Sequence, residues 1–126
     1  MFYKITVFLF CLAFSAALSA QAVANAVLNK TTVETGDTFT LRILVHNAPA
    51  EPLKVDFAAW APLITTENIL SESPWSRTGR RWQREYTLLV FDSAQLALPS
   101  LKVILRNGEK VLTNTVNLTV SPTPAG

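Results

Sequence analysis

A histidine, an aspartate and a serine could in principle form a hydrolytic triad: His46, Asp92 and Ser93. Such a triad needs a histidine base that contacts the serine and is itself oriented by the carboxylate. His46 is the single histidine of the chain, but it closes an apolar segment beside Asn47, and no serine-elbow motif accompanies it. The pattern favours a solvated strand end over a catalytic histidine.

Carboxylates are the other candidates for chemistry, as acid/base pairs or as metal ligands. Glu67, Glu72, Glu85 and Asp92 could form a pair, although carboxylates so spaced more commonly solubilise a surface. One cysteine, one histidine and no calcium-loop spacing leave no recognisable metal-ligand set. Neither phosphate-binding glycine motif occurs. We therefore expect no enzymatic activity, no cofactor and no metal.

The densest group of binding-prone residues lies in one short segment around a glycine. We define the Trp/Arg cluster as Trp75, Arg77, Arg80, Arg81, Trp82 and Arg84. Tryptophan and arginine dominate binding hot spots. Three interpretations are open: a hairpin with solvated arginines and tryptophans at the core edge, a partner-binding surface, or a stacking platform for single-stranded nucleic acid.

The charge balance argues against nucleic acid. The chain has 11 Lys and Arg against 9 Asp and Glu, and loss of Lys4 would leave 11 − 1 = 10 against 9. So small an excess gives no general attraction to nucleic acid or to an anionic membrane. We expect a partner that is neither of these.

The first residues predict export. Lys4 precedes the apolar stretch Ile5–Leu18, and small residues follow. The stretch is shorter than the roughly 20 apolar residues of a bilayer span, so a cleaved helical signal peptide over residues 1–22 is favoured over a permanent anchor. Cleavage is expected after Ala20 or Ala22. The product would be periplasmic or extracellular, without stable membrane insertion.

The remaining length predicts one domain. Removing twenty residues leaves 126 − 20 = 106, close to one immunoglobulin-like sandwich. Cys11 would be lost with the signal, so no disulfide is expected. We predict a domain over residues 23–121 and a flexible tail over 122–126.

Apolar and polar residues alternate along this domain, which predicts about seven short antiparallel strands and an all-β, immunoglobulin-like sandwich. The clearest strand is Thr38–Val45, with one apolar face of Phe39, Leu41, Ile43 and Val45, after a turn at Thr35-Gly36-Asp37. Further strands are predicted at Ala22–Leu28 with Thr31–Val33, Leu53–Phe57, Leu63–Leu70 and Trp82–Phe91.

The pair Asn107-Gly108 predicts a two-residue hairpin turn, since both residues tolerate positive φ. That turn would place Arg106 opposite Glu109. The buried face would then hold these residues: Leu101, Val103, Leu105, Leu112, Val116, Leu118 and Val120.

A family resemblance is carried by Val33–Leu41, by Trp82–Pro99 and by the closing Thr113-Asn114. These segments resemble the N-terminal immunoglobulin-like domain of the BatD (bacterial aerotolerance) family. The resemblance implies a periplasmic protein-binding scaffold rather than an enzyme.

Two function classes follow. The first is a cell-envelope interaction module that binds another envelope protein through a sheet edge or the Trp/Arg cluster. The second is a secreted adhesion or carbohydrate-binding module whose exposed tryptophans serve as sugar platforms. Trp60, Trp75 and Trp82 discriminate them, because exposed coplanar indoles favour sugar, whereas buried indoles beside exposed arginines favour protein.

Overall fold

The computed structural model describes residues 21–123, so residues 1–20 of the predicted signal peptide and the last three residues lie outside the described part. The strands are, in order, β1 Val23–Leu28, β2 Thr32–Glu34, β3 Thr38–His46, β4 Lys54–Asp56, β5 Ile69–Glu72, β6 Ser76–Thr78, β7 Arg81–Leu89, β8 Ala94–Leu98, β9 Lys102–Ile104, β10 Lys110–Leu112 and β11 Val116–Ser121. Two 3-10 turns, Ala58–Trp60 and Thr66–Asn68, are the only helical elements among these residues. Neither could cross a membrane.

The strands form three hydrogen-bonded sheets around one core. The first has the order β1-β3-β7-β5, with β6 also on β7; the others are β10-β9-β4 and β2-β11-β8. All pairs are antiparallel except β2 with β11. Residues 21–123 contain eleven strand segments, more than the seven or so that were predicted. Segments predicted as one strand are divided between sheets, since β1 and β2 lie in different sheets, as do β10 and β11.

Strand β3 confirms the alternation on which the fold was predicted. Phe39, Leu41, Ile43 and Val45 are all buried, at 1% exposure or less. The preceding turn is also as expected, since Gly36 has φ of 86° and the Asp37 N–H donates to the Glu34 carbonyl at 3.1 Å. The strand lies between β1 and β7, at the centre of the first sheet.

The predicted two-residue turn at Asn107-Gly108 is wrong. The chain makes a three-residue loop, Arg106-Asn107-Gly108, closed by a hydrogen bond from the Leu105 N–H to the Glu109 carbonyl at 2.8 Å. Gly108 has φ of 88°, as this longer loop requires. Ile104 therefore lies opposite Lys110, one position from the predicted register.

Because of this shift, the side chains of β10 face the opposite sides from those predicted, whereas those of β11 face the predicted sides. Leu112 is 60% exposed instead of buried, and Thr113 is buried in its place. Because the strand breaks at residues 113–115 before β11 begins, the chain regains the predicted alternation. Leu118 and Val120 are buried, and Val116 is partly buried.

Two other segments differ from the prediction. Only the last two residues of Leu63–Leu70 belong to a strand, because Thr66–Asn68 forms a 3-10 turn closed by Thr65 and Asn68. Strand β8 was not predicted, since its short pattern follows the irregular Asp92-Ser93 loop. The end of the domain is tied to the turn between β2 and β3, because the Thr123 hydroxyl donates to the Thr35 carbonyl at 2.8 Å.

Candidate functional site

The Trp/Arg cluster is built on the hairpin of β6 and β7. Thr78 pairs with Arg81, so Gly79 and Arg80 alone form the turn. Gly79 has φ of 61°, and Arg80 has negative φ, which together suit the hairpin turn with glycine first. The Arg80 carbonyl also accepts the Asn47 N–H at 3.0 Å, which fixes the turn against the end of β3.

Strand alternation divides the cluster between two faces of the sheet. Arg77 lies directly opposite Trp82, on the face that carries the core. Arg81 lies opposite Thr78 and, on its other side, opposite His46, on the solvent face. The arginines therefore lie on two faces of the sheet and do not form a single row.

Arg84 and Trp75 form an internal stack. Arg84 occupies the core-facing register position between Trp82 and Tyr86, opposite Ile43 on β3. Its guanidinium carbon lies 4.9 Å from the Trp75 ring centroid, and one nitrogen lies 3.7 Å from the Glu72 carboxylate. This is cation–π geometry, and it covers an indole that is only 8% exposed. The pair supports the edge of the core rather than presenting a binding surface.

Arg77 and Trp82 form a second, more exposed stack at the hairpin end. The Arg77 guanidinium carbon lies 5.4 Å from the Trp82 ring centroid, and its Nε donates to the Gly79 carbonyl at 2.8 Å. Trp82 in turn donates from Nε1 to the Ala48 carbonyl at 3.2 Å. Arg77 therefore helps to hold the turn.

Arg80 and Arg81 are the free cations of the cluster. Both side chains are exposed, and neither forms an ion pair or a side-chain hydrogen bond with any residue between 21 and 123. Of the six predicted site residues, these two have guanidinium groups wholly available to a partner.

The tryptophans do not offer a flat aromatic platform. Trp60 is fully buried, Trp75 is nearly so, and Trp82 is half-buried against the core. A sugar platform needs an exposed ring face, and Arg77 covers part of the one indole that retains exposure.

The residues considered for catalysis are dispersed. His46 ends β3 opposite Arg81, whereas Asp92 and Ser93 follow β7 near the opposite end of the same sheet. The length of β3 separates them, which is about 26 Å at roughly 3.3 Å per residue. Glu72 and Glu85 are instead paired with Arg84 and Arg42. Across residues 21–123, no group of three or more potential metal ligands is formed.

The pKa of the Tyr86 phenol clearly departs from its ordinary value. Burial raises the pKa of the phenol above 10.0, and the Arg84 guanidinium lowers it in part. Its ring packs edge-on against the Phe57 ring, with 4.9 Å between the two ring centroids. The folded protein therefore holds the phenol proton more tightly than the unfolded chain does.

This raised pKa predicts a loss of stability in alkali. The stabilisation is complete below about pH 10 and disappears as pH rises through the folded-state pKa. We expect the free energy of unfolding to fall more steeply above about pH 10 in the wild type than in Tyr86→Phe. Denaturant titrations at each pH measure this difference. Parallel declines in the two proteins would contradict the prediction.

A surface pocket that no sequence pattern predicts lies at the same end of the sandwich. Its volume is about 260 Å³, and its lining comes from two loops: Ala48, Pro49, Ala50, Leu105, Arg106 and Asn107. No local pattern marks it, because the loops are more than fifty positions apart in the sequence and meet only in the fold.

Comparisons with known proteins identify the fold. No protein-family profile and no curated protein matches the chain. Among solved structures, it is similar to the BIgI domain of beta protein from S. agalactiae bound to CEACAM1, with 17% identity and a TM-score of 0.53 over 80% of this chain and 99% of that one. It is also similar to the GspB Siglec domain, with 12% identity and a TM-score of 0.60 over 85% of this chain and 60% of that one. The chain is an immunoglobulin-like β-sandwich, as the strand pattern predicted.

Proposed function

We propose that this domain is a non-catalytic protein-interaction module, exported to the cell envelope, whose partner contacts Arg80 and Arg81. The observation that carries the proposal is the combination of buried indoles with exposed, unengaged guanidinium groups. Guanidinium groups are weakly hydrated and pair readily with carboxylates or aromatic faces, so they suit a protein surface.

The similar structures support a binding role. One of them, the BIgI domain, was solved bound to CEACAM1, so a sandwich of this shape can present a protein-binding surface. The resemblance of Val33–Leu41 and Trp82–Pro99 to the BatD family supports a periplasmic location and an envelope-protein partner. The signal sequence predicted over residues 1–22 supports export.

A secreted adhesion module is the second candidate, and the same BIgI likeness favours it. The two candidates differ in where the partner resides. An interaction module binds a protein of the producing cell's own envelope, whereas an adhesion module binds a molecule on another cell. A carbohydrate ligand is the less supported form of this second candidate, because no indole among residues 21–123 presents an open face.

The double variant Arg80→Ser/Arg81→Ser tests the proposal. We expect capture of the partner from envelope extract to fall by at least about tenfold, because two charge-assisted contacts are removed. The melting midpoint should move by less than about 4 °C, since exposed charges contribute little to stability. Cross-linking mass spectrometry of the captured material identifies the partner. Arg77 is left unchanged because it holds the turn.

The matched control is Lys54→Ser/Lys102→Ser, which removes the same charge from exposed positions on the other side of the sandwich. This control should capture the partner as well as the wild type does. Undiminished capture by a folded Arg80/Arg81 variant would contradict the proposal and would favour the interpretation of these arginines as solvated residues of a hairpin. A loss of equal size in both variants would indicate nonspecific charge attraction.

A further inference from the structure

The pocket at the Arg80 end of the sandwich lies beside the proposed binding residues. Ala48, which lines it, accepts the hydrogen bond from Trp82 Nε1, and Trp82 carries Arg77 on its ring. On the opposite wall are Leu105 and Arg106, from the loop between β9 and β10. The pocket and the hairpin therefore form one continuous surface.

The lining of this pocket is mainly apolar. Ala48 and Leu105 form its buried floor, while Pro49 and Ala50 are exposed at its mouth. Its volume of about 260 Å³ is below that of the clefts that hold a drug-sized ligand, roughly 300–1,000 Å³. It therefore suits a single inserted apolar side chain rather than a cofactor or an extended small molecule.

The surroundings of the pocket are positively charged. The three segments that form this end, residues 47–51, 77–81 and 105–109, contain four arginines and two glutamates. One of these carboxylates, that of Glu51, already forms an ion pair, since its Oε2 lies 3.6 Å from Nη2 of Arg106. An excess of 4 − 2 = 2 positive charges around an apolar pocket is complementary to an acidic segment that carries one large apolar residue.

We propose that this pocket receives a leucine or aromatic side chain from an acidic segment of the partner protein, an inference that rests on the proposed function. The apolar side chain enters between Ala50 and Leu105. The flanking carboxylates of the segment lie against Arg77, Arg80 and Arg106. The pocket supplies the burial of apolar surface, and the arginines select the partner by charge.

Synthetic peptides test this inference without knowledge of the natural partner. The probes are Gly-Glu-Asp-X-Asp-Glu-Gly with leucine, phenylalanine, tryptophan or serine at X, and Gly-Lys-Lys-Leu-Lys-Lys-Gly. The measurement is the shift of backbone amide signals of the ¹⁵N-labelled protein during titration. We expect at least one of the three acidic apolar peptides to shift the amides of Ala48, Ala50 and Leu105 saturably. The serine peptide should bind at least about tenfold more weakly, and the lysine peptide should not bind.

Two variants locate the interaction. Ala50→Leu fills the mouth of the pocket from an exposed position and should weaken peptide binding by at least about tenfold. Its matched control, Ala97→Leu, adds the same side chain at an exposed site on β8 and should bind as the wild type does. Unchanged binding by Ala50→Leu would overturn the inference, as would the absence of amide shifts with all three acidic apolar peptides.

The failure of this inference is distinguishable from failure of the proposed function. Suppose that Arg80→Ser/Arg81→Ser loses partner capture but no peptide shifts the amide signals of the pocket. The pocket is then excluded as a binding site, and the proposed interaction module is retained. If capture is undiminished in that variant, the proposed role of Arg80 and Arg81 falls, whatever the peptides do at the pocket.

Discussion

Replacing Trp60 with alanine is expected to lower the free energy of unfolding by about 3–5 kcal/mol, the usual cost of truncating a buried large aromatic side chain. Trp60 is fully buried and packs edge-on against the Phe57 ring, with 5.5 Å between the two ring centroids. Its Nε1 donates to the Pro99 carbonyl at 2.8 Å, across the break between β8 and β9. Alanine would lose the packing and this hydrogen bond together, and would leave a cavity in the core.

The loss would be a large fraction of the total stability. Domains of this size are stable by about 5–15 kcal/mol, and residues 21–123 contain no cysteine that could form a disulfide to compensate. Urea titration followed by tryptophan fluorescence measures the change, because Trp75 and Trp82 remain as probes. The expected result is a lower midpoint with a nearly constant slope.

Two controls separate the contributions at Trp60. Trp60→Phe retains most of the packing but leaves the Pro99 carbonyl without its donor, which should cost about 1–3 kcal/mol. Leu63→Ala, at a half-exposed position shortly after the same 3-10 turn, should change stability by less than about 0.5 kcal/mol. A loss below about 1.5 kcal/mol in Trp60→Ala would show that the site collapses around the cavity.

The strands that sequence reasoning predicted well are those with a strict alternation over many residues. In β3 four apolar side chains alternate with mostly polar ones, so only one placement buries them all. Such a segment specifies its own orientation, with no information from distant parts of the chain.

The hairpin of β9 and β10 shows the limit of this reasoning. Asn-Gly is compatible with both a two-residue and a three-residue loop, because each needs glycine at positive φ. The hydrophobic pattern agreed with the shorter loop only because the break at residues 113–115 later restores the alternation. Neither the loop length nor the break is encoded by local pattern, since both depend on contacts with other strands.

The division of the Trp/Arg cluster between two faces of the sheet was not predicted. The glycine turn at Gly79 could have predicted the pairing of Thr78 with Arg81, and hence the separation of Arg77 from Arg81. The stack of Arg84 on Trp75 could not be predicted, because it depends on how the break between β5 and β6 places the indole over β7. The pocket at Ala48 also depends on distant loops.

The break at residues 113–115 has a structural role of its own, through Asn114. Its Oδ1 accepts the Ala26 N–H at 2.8 Å, and its Nδ2 donates to the Ala26 carbonyl at 3.0 Å. The side chain therefore pairs with β1 as a neighbouring strand would, and it joins the edge of the first sheet to the link between β10 and β11. Ala26 is itself buried, and both of its hydrogen bonds to Asn114 are partly buried, so these backbone groups are partly shielded from water.

Asn114→Ala is therefore expected to lower the free energy of unfolding by about 2 kcal/mol, since two partly buried backbone groups would lose their partners, each at the low end of roughly 1–3 kcal/mol. Asn114→Asp should restore part of this loss, because its carboxylate still accepts the Ala26 N–H while the Ala26 carbonyl stays unpaired. The matched control is Asn117→Ala, an exposed asparagine on β11 whose side chain makes no hydrogen bond with any residue between 21 and 123, and its stability should change by less than about 0.5 kcal/mol. Denaturant titration of the three variants measures the differences, and hydrogen exchange should show earlier opening of β1 in Asn114→Ala. Equal stabilities of Asn114→Ala and Asn117→Ala would mean that the hydrogen bonds between Asn114 and Ala26 do not contribute to stability.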